Sequence, residues 1–243
     1  MTVEPGLEPR GVSARALASS ALLAGACALG LGCDRGPASS AAPAPAWPAG
    51  TVLVMNDTPI TAAEVDRFAE VYARLEPAFV EAQCRRLALT NVIFPLVAAQ
   101  GIDPEARGKA KALADEYARA AAHGASLDGP LAGPTVLQRS GTWKQIGLEA
   151  WLAVVDLQDS SWSAVMETPG AFQIVRLDRR GKQAVPQDLV LDLSVVEFPY
   201  LQAEGVRARI DAALDQARLR FVDPAWRDFV PTAWQHRLRA DQP

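Results

Sequence analysis

Hydrophobic and polar positions divide the chain into short blocks. Residues 50–55 (GTVLVM) form an apolar run that predicts a strand, and Asn56-Asp57 predicts a turn. Thr61 with Glu64 three positions later has the spacing of a capping box, with the hydroxyl taking the N3 amide and the carboxylate reaching back. The helix it starts, 62 to about 75, places Val65, Phe68, Ala69 and Tyr72 on one face, and Pro77 breaks it. Further helices are expected over 78–89 and 91–100, with Pro95 near the first turn of the latter and Gly101 as its C-cap. Asp103 and Pro104 begin another helix, running to about 122 and closed by Gly124. Residues 124–142 are rich in Gly and Pro and lack a clear period, whereas 143–158 show a helical one. A strand is expected over 172–177 and another over 188–198, where Leu189, Leu191, Leu193 and Val195 alternate. Val206, Ile210, Ala213, Leu214 and Ala217 predict a helix over 203–220, and Trp226, Phe229 and Trp234 fall in a terminal helical segment interrupted by Pro231.

The first 49 residues follow a different pattern. Arg10 and Arg15 precede an apolar stretch, 16–32, that stops at Cys33; residues 37–46 are Pro, Ala and Ser. This is the layout of a secretory signal followed by a tether with nothing to pack. The single cysteine of the remaining body, Cys84, has no partner there and is expected to be a buried thiol.

The 243 residues, 49% of them hydrophobic, suffice for one or two cores. A net charge of -4 without a basic run argues against nucleic acid. His123 and His236 lie far apart with no other ligand at zinc spacing, so no metal is expected. No phosphate loop, G-x-S-x-G elbow or H-E-x-x-H motif occurs, and no cofactor is expected.

The signal, Cys33 and tether resemble a bacterial lipoprotein precursor, although Gly30 stands where the lipobox has Leu, with Leu29 one step further. Cys27 is the alternative lipidation site, and Asp34 resembles an inner-membrane retention signal. Residues 54–66 (VMNDTPITAAEVD) and 96–102 (LVAAQGI) resemble the N-terminal helical module of the SurA, PrsA and PpiC-like secreted foldases. Residues 166–175 (METPGAFQIV) resemble the last strand region of a parvulin-type prolyl isomerase domain, a likeness running from about 143 to 180.

The parvulin resemblance implies a chemistry that this chain partly lacks. Prolyl isomerisation must lower an amide barrier of about 20 kcal/mol. The family does so with two histidines on adjacent central strands, a Cys or Asp, a Thr or Ser, and a proline cup. Here Thr168 is kept and Gln173 holds the second histidine position. Ile146 and Ala150 match the cup, and Met166 and Phe172 complete the implied peptide groove. Gln173 reads better as a strand residue on a polar or half-buried face than as a ligand contact, and Trp143, Trp151 and Trp162 read better as core than as groove lining. The strand carrying the family's first histidine is missing before residue 110. Strand 189–198, also followed by a helix, is expected to fill its central slot in a permuted sheet, with Ser194 and Glu197 as its polar residues.

The expected fold is α+β: an N-terminal helical module, a small parvulin-like mixed sheet with helices, and a C-terminal helix returning to the module. The expected segments are signal 1–32, lipidated Cys and tether 33–49, helical module 50–123, degenerate parvulin-like domain 124–200 and C-terminal helices 201–243. The resemblance implies a periplasmic chaperone, lipid-anchored to a membrane, that binds unfolded or extended polypeptide with weak or lost isomerase activity. The alternatives are an active prolyl isomerase and a scaffold lipoprotein binding one envelope partner.

Overall fold

In the computed structural model, residues 47–123, 136–183, 185–202, 204–237 and 239–240 are described. The signal-like stretch, Cys27, Cys33, most of the tether and Gly124 lie outside them. Strand β1 (Thr51–Met55) turns back on β2 (Thr58–Thr61) through Asn56 and Asp57, whose φ values of 49° and 65° are those a two-residue hairpin loop requires. Thr61 then caps α1 (Ala62–Leu75). Its Oγ1 accepts from the Glu64 N–H at 3.3 Å, and the Glu64 carboxylate accepts from the Thr61 N–H at 2.8 Å, the reciprocal pair expected from the spacing.

The two separate helices expected over 78–100 are one interrupted rod. Helix α2 (Glu81–Leu87) passes through a π-helical stretch, Ala88–Ile93, into α3 (Phe94–Gln100). Pro95 explains the widening, because it has no N–H to donate and its ring crowds the carbonyl one turn back. The Phe94 N–H reaches five residues back to the Leu89 carbonyl. Gly101 follows α3 but takes φ -82°, so it is not a left-handed cap; the helix stops because Asp103 and Pro104 start the next one. Asp103 Oδ1 accepts from the Ala106 N–H at 2.9 Å and opens α4 (Pro104–Ala122).

The stretch read as aperiodic contains β3 (Val136–Gly141), whose half-polar sequence becomes a strand by pairing with β6. The helix expected over 143–158 is two short pieces, α5 (Trp143–Ile146) and α6 (Leu148–Val154), separated by Gly147 at φ 93°. Then come β4 (Met166–Thr168), β5 (Ala171–Arg180) and β6 (Leu191–Pro199). The sheet order is β3-β6-β5-β4, which makes the strand expected over 189–198 central; every pairing is antiparallel, so the sheet is not the mixed one expected. Both of its faces are buried: Leu191, Leu193 and Val195 on one, Ser194, Val196 and Phe198 on the other. Helix α4 covers the second face, with Tyr117 against Phe198 at 5.1 Å between ring centroids. Helix α6 packs on β5.

Helix α7 (Val206–Gln216) packs on α3, and the chain then leaves the helix earlier than expected. Residues Arg218–Phe221 form β7, antiparallel to β1, in a second sheet of order β2-β1-β7-β8, where β8 is Arg239–Ala240. Asn56 fastens this return: its N–H donates to the Arg218 carbonyl and its Oδ1 accepts from the Arg218 N–H. Beyond β7 a 3₁₀ turn, Pro224–Phe229, and α8 (Thr232–Arg237) bring the late aromatics to the helical region. Trp226 is buried edge-on to Phe229, Arg85 lies over both rings, and Trp234 stacks on Phe94 at 5.1 Å.

The architecture is α+β. The three folded segments expected from the sequence share one hydrophobic core, and the described residues from Trp47 onward form a single compact unit. Cys84 is buried within it, and burial pushes its thiol pKa up. Among the described residues no single helix is long and apolar enough to cross a membrane. Residues 81–100 and 104–122 reach that length only as a pair bent by 108°.

Candidate functional site

A cleft of about 560 Å³ lies where α1, α3 and the β2 hairpin face α6 and the edge of the four-stranded sheet. Its apolar wall includes Phe68 from α1, Leu96 and Val97 from α3, Leu152 and Ala153 from α6, and Val165 and Met166 from the sheet edge. Phe68, Leu96, Leu152, Val165 and Met166 are only half-buried, so their side chains still present apolar surface to the opening. Five consecutive residues of the edge, 163–167, border it. This edge is irregular. The Ser163 N–H donates to the Val175 carbonyl and β4 resumes pairing at Met166 opposite Gln173, which leaves Ala164 and Val165 between the two pairings.

Among the described residues three carboxylates line the cleft, and they differ in their partners. Glu64 belongs to the cap of α1. Glu167 sits in a closed set: it accepts from Arg107 Nε at 2.6 Å and Nη2 at 2.7 Å, from Gln100 at 3.1 Å and from the Tyr200 hydroxyl at 3.3 Å. The ion pair with Glu167 holds the Arg107 guanidinium above its ordinary value. Burial, helped by the Glu167 charge, pushes the Tyr200 hydroxyl up to about 12. Glu149, in the first turn of α6, has its own backbone N–H as its hydrogen-bond donor. Burial raises its carboxyl above the ordinary value, and its charge in turn raises the Tyr72 hydroxyl, which burial has already pushed up.

The residues singled out from the sequence occupy different places. Met166 lines the cleft. Ile146, Ala150 and Phe172 are buried in the core and do not line it, because α5, α6 and β5 turn these side chains inward; Phe172 lies beneath Arg107 and beside Tyr200. The Thr168 hydroxyl donates to the Ala171 carbonyl across the β4–β5 turn. Gln173 is buried, stands directly opposite Glu197 on β6 and donates to it at 2.6 Å; Arg139 on β3 donates to the same Glu197 oxygen at 2.9 Å. The chain thus carries a satisfied amide–carboxylate–guanidinium bridge across three strands, with no free acid or base among its members. Ser194 likewise joins Gln138, Arg176 and Asp178. Trp151 is fully buried, Trp143 packs edge-on to Tyr72, and Trp162 lies under Arg176, so all three pack rather than line the cleft. Neither histidine lines the cleft: His123 caps α4 with Nδ1 2.7 Å from the Arg119 carbonyl, and His236 is exposed on α8.

Sequence reading did not single out Glu149. Its signal is local: one acidic residue in an otherwise apolar helix, LEAWLAV. The sequence places Phe68 on one face of its helix, and only the tertiary arrangement shows that this residue and Leu152 face a cleft. Among the described residues no cluster of three or more His, Cys, Asp or Glu is arranged for a metal. Compared with protein-family models, curated proteins and solved structures, the chain has no match in any of the three.

Proposed function

We propose that this chain is a lipid-anchored envelope protein that holds extended or unfolded polypeptide in the cleft, using a permuted parvulin-like sheet that has lost isomerase chemistry. The cleft carries this reading. Its half-buried aromatic and aliphatic side chains stand beside an edge strand, and an extended segment added along such an edge pairs its backbone while its side chains enter apolar pockets. The permuted-parvulin part is supported by the central position of β6, the helix that follows it, and the pairing of Gln173 with Glu197 on adjacent central strands. The loss of chemistry is supported by the same pair, whose polar groups already bond one another. Anchoring is supported by the stretch 16–32, Cys33 and the Pro/Ala/Ser tether.

The test uses soluble protein beginning at Trp47 and has two readouts. Prolyl isomerisation of an X-Pro peptide panel stays at background, and a permanently unfolded polypeptide binds, with affinity reduced by Phe68→Ala combined with Leu152→Ala. Acceleration well above background overturns the loss of chemistry; failure to bind unfolded polypeptide overturns the holding role. In cells, a labelled fatty acid is incorporated into the full chain and lost in Cys33→Ser, whereas loss only in Cys27→Ser moves the anchor.

A further inference from the structure

Resting on the polypeptide-holding reading, we propose that the cleft selects extended segments in which a lysine or arginine lies among apolar side chains, with Glu149 receiving the cation. The inference comes from the three acidic residues of the cleft and how each is used. Glu64 is consumed by the Thr61 cap, and Glu167 is neutralised by Arg107 and further bonded by Gln100 and Tyr200. Glu149 is left with its own backbone N–H and the hydroxyl-bearing Tyr72 as an electrostatic neighbour. Among the described residues of the lining the basic one, Arg67, lies over the Phe68 ring at 5.6 Å.

A carboxylate held in an apolar wall without a counter-charge loses much of its hydration, and one backbone hydrogen bond replaces only part of it. An incoming ammonium or guanidinium supplies the missing partner in a partly desolvated site, where a charged hydrogen bond is stronger than in open water. The neighbours of Glu149 on its own helix, Leu152 and Ala153, with Phe68 and Leu96 opposite, supply the apolar contacts on either side. An occupant with only apolar side chains leaves the carboxylate buried and unpaired, and an acidic one adds repulsion. The sheet edge at residues 163–167 sets the repeat: in an added strand, alternate side chains share a face, so the apolar residue and the cation fall two positions apart.

The experiment uses the full chain in detergent and three fluorescent ten-residue peptides of alternating Val and Thr. The peptides differ only in a central Lys, Gln or Glu, and binding is read by anisotropy for the wild type and for Glu149→Gln. The Lys peptide is expected to bind the wild type about tenfold more tightly than the Gln peptide, about 1.4 kcal/mol, with the Glu peptide weakest. Glu149→Gln removes the advantage of Lys over Gln; an undiminished melting temperature shows that this variant is folded. Equal binding of all three peptides, or a Lys preference that survives Glu149→Gln, overturns the role of Glu149 and leaves the holding reading intact. Failure of every peptide and of a permanently unfolded polypeptide to bind overturns both.

Discussion

The two sheets of this protein are built on opposite principles. The β2-β1-β7-β8 sheet is closed by apolar burial: every residue of β1 is buried, and Leu219 of β7 is 1% exposed. The β3-β6-β5-β4 sheet also has an apolar interior but carries polar bridges across its strands, Arg139–Glu197–Gln173 and Gln138–Ser194–Asp178, and an ion pair at its edge. The first sheet joins distant parts of the chain and presents little chemistry. The second holds its strands in register with charges and lends its edge to the cleft. Within that edge region the same contrast recurs on a smaller scale, because Glu167 is fully engaged with the fold and Glu149 is not.

Substitutions of decreasing severity test the contrast. Trp226→Ala removes a buried ring beneath the first sheet and should destabilise by about 3–5 kcal/mol in urea unfolding; a change under about 0.5 kcal/mol would show that this region does not seal the core. Glu167→Ala strands Arg107 and should cost about 2 kcal/mol, less than for a fully buried pair because Arg107 keeps a third of its side chain exposed. A double-mutant cycle with Arg107→Ala isolates the coupling, and a coupling near zero would make the edge pair ornamental. Gln173→Ala leaves Glu197 with Arg139 alone and should cost about 1 kcal/mol, without altering prolyl isomerisation.

Glu149→Gln should produce the smallest change, and in the opposite direction. Burial raises the Glu149 carboxyl, so the folded protein keeps this proton at pH values where the unfolded chain has released it. Stability contributed by that proton is present at acid pH and lost as pH rises through the raised value. The variant should therefore be more stable than the wild type above that window, with the gap closing on acidification. Melting temperatures at acid and neutral pH, compared between wild type and variant, suffice; a pH-independent gap would mean that the carboxylate is solvated or already paired.

The elements legible in the sequence were those whose causes are local. The Thr61–Glu64 cap, the Asn56-Asp57 loop and the Asp103-Pro104 start each depend on a few adjacent residues, and each formed where the spacing placed it. Strands β3 and β7 escaped notice because VLQRSG and RLRF have no strong pattern of their own; they are strands because β6 and β1 offer them hydrogen-bonding edges. The site was less legible than the fold. The parvulin resemblance over about 143–180 drew attention to Phe172, Ile146 and Ala150, which belong to the core. What distinguishes Glu149 is the absence of a counter-charge in three dimensions, and no periodicity in one dimension reveals that.

The pairing of β1 with β7 also bears on how the protein is made. Leu53 lies opposite Phe221, so one of the first strands to emerge waits for nearly the last. Closing so long a loop costs entropy before any contact is gained, and folds dominated by such pairings form slowly. Until residue 221 arrives, the apolar TVLVM strand has an open edge, a template for pairing with other chains. A chain stopped after α7 would retain that open edge permanently, so the last few dozen residues act as the lock on the first sheet. Nascent or truncated forms should depend on chaperones that cover this edge.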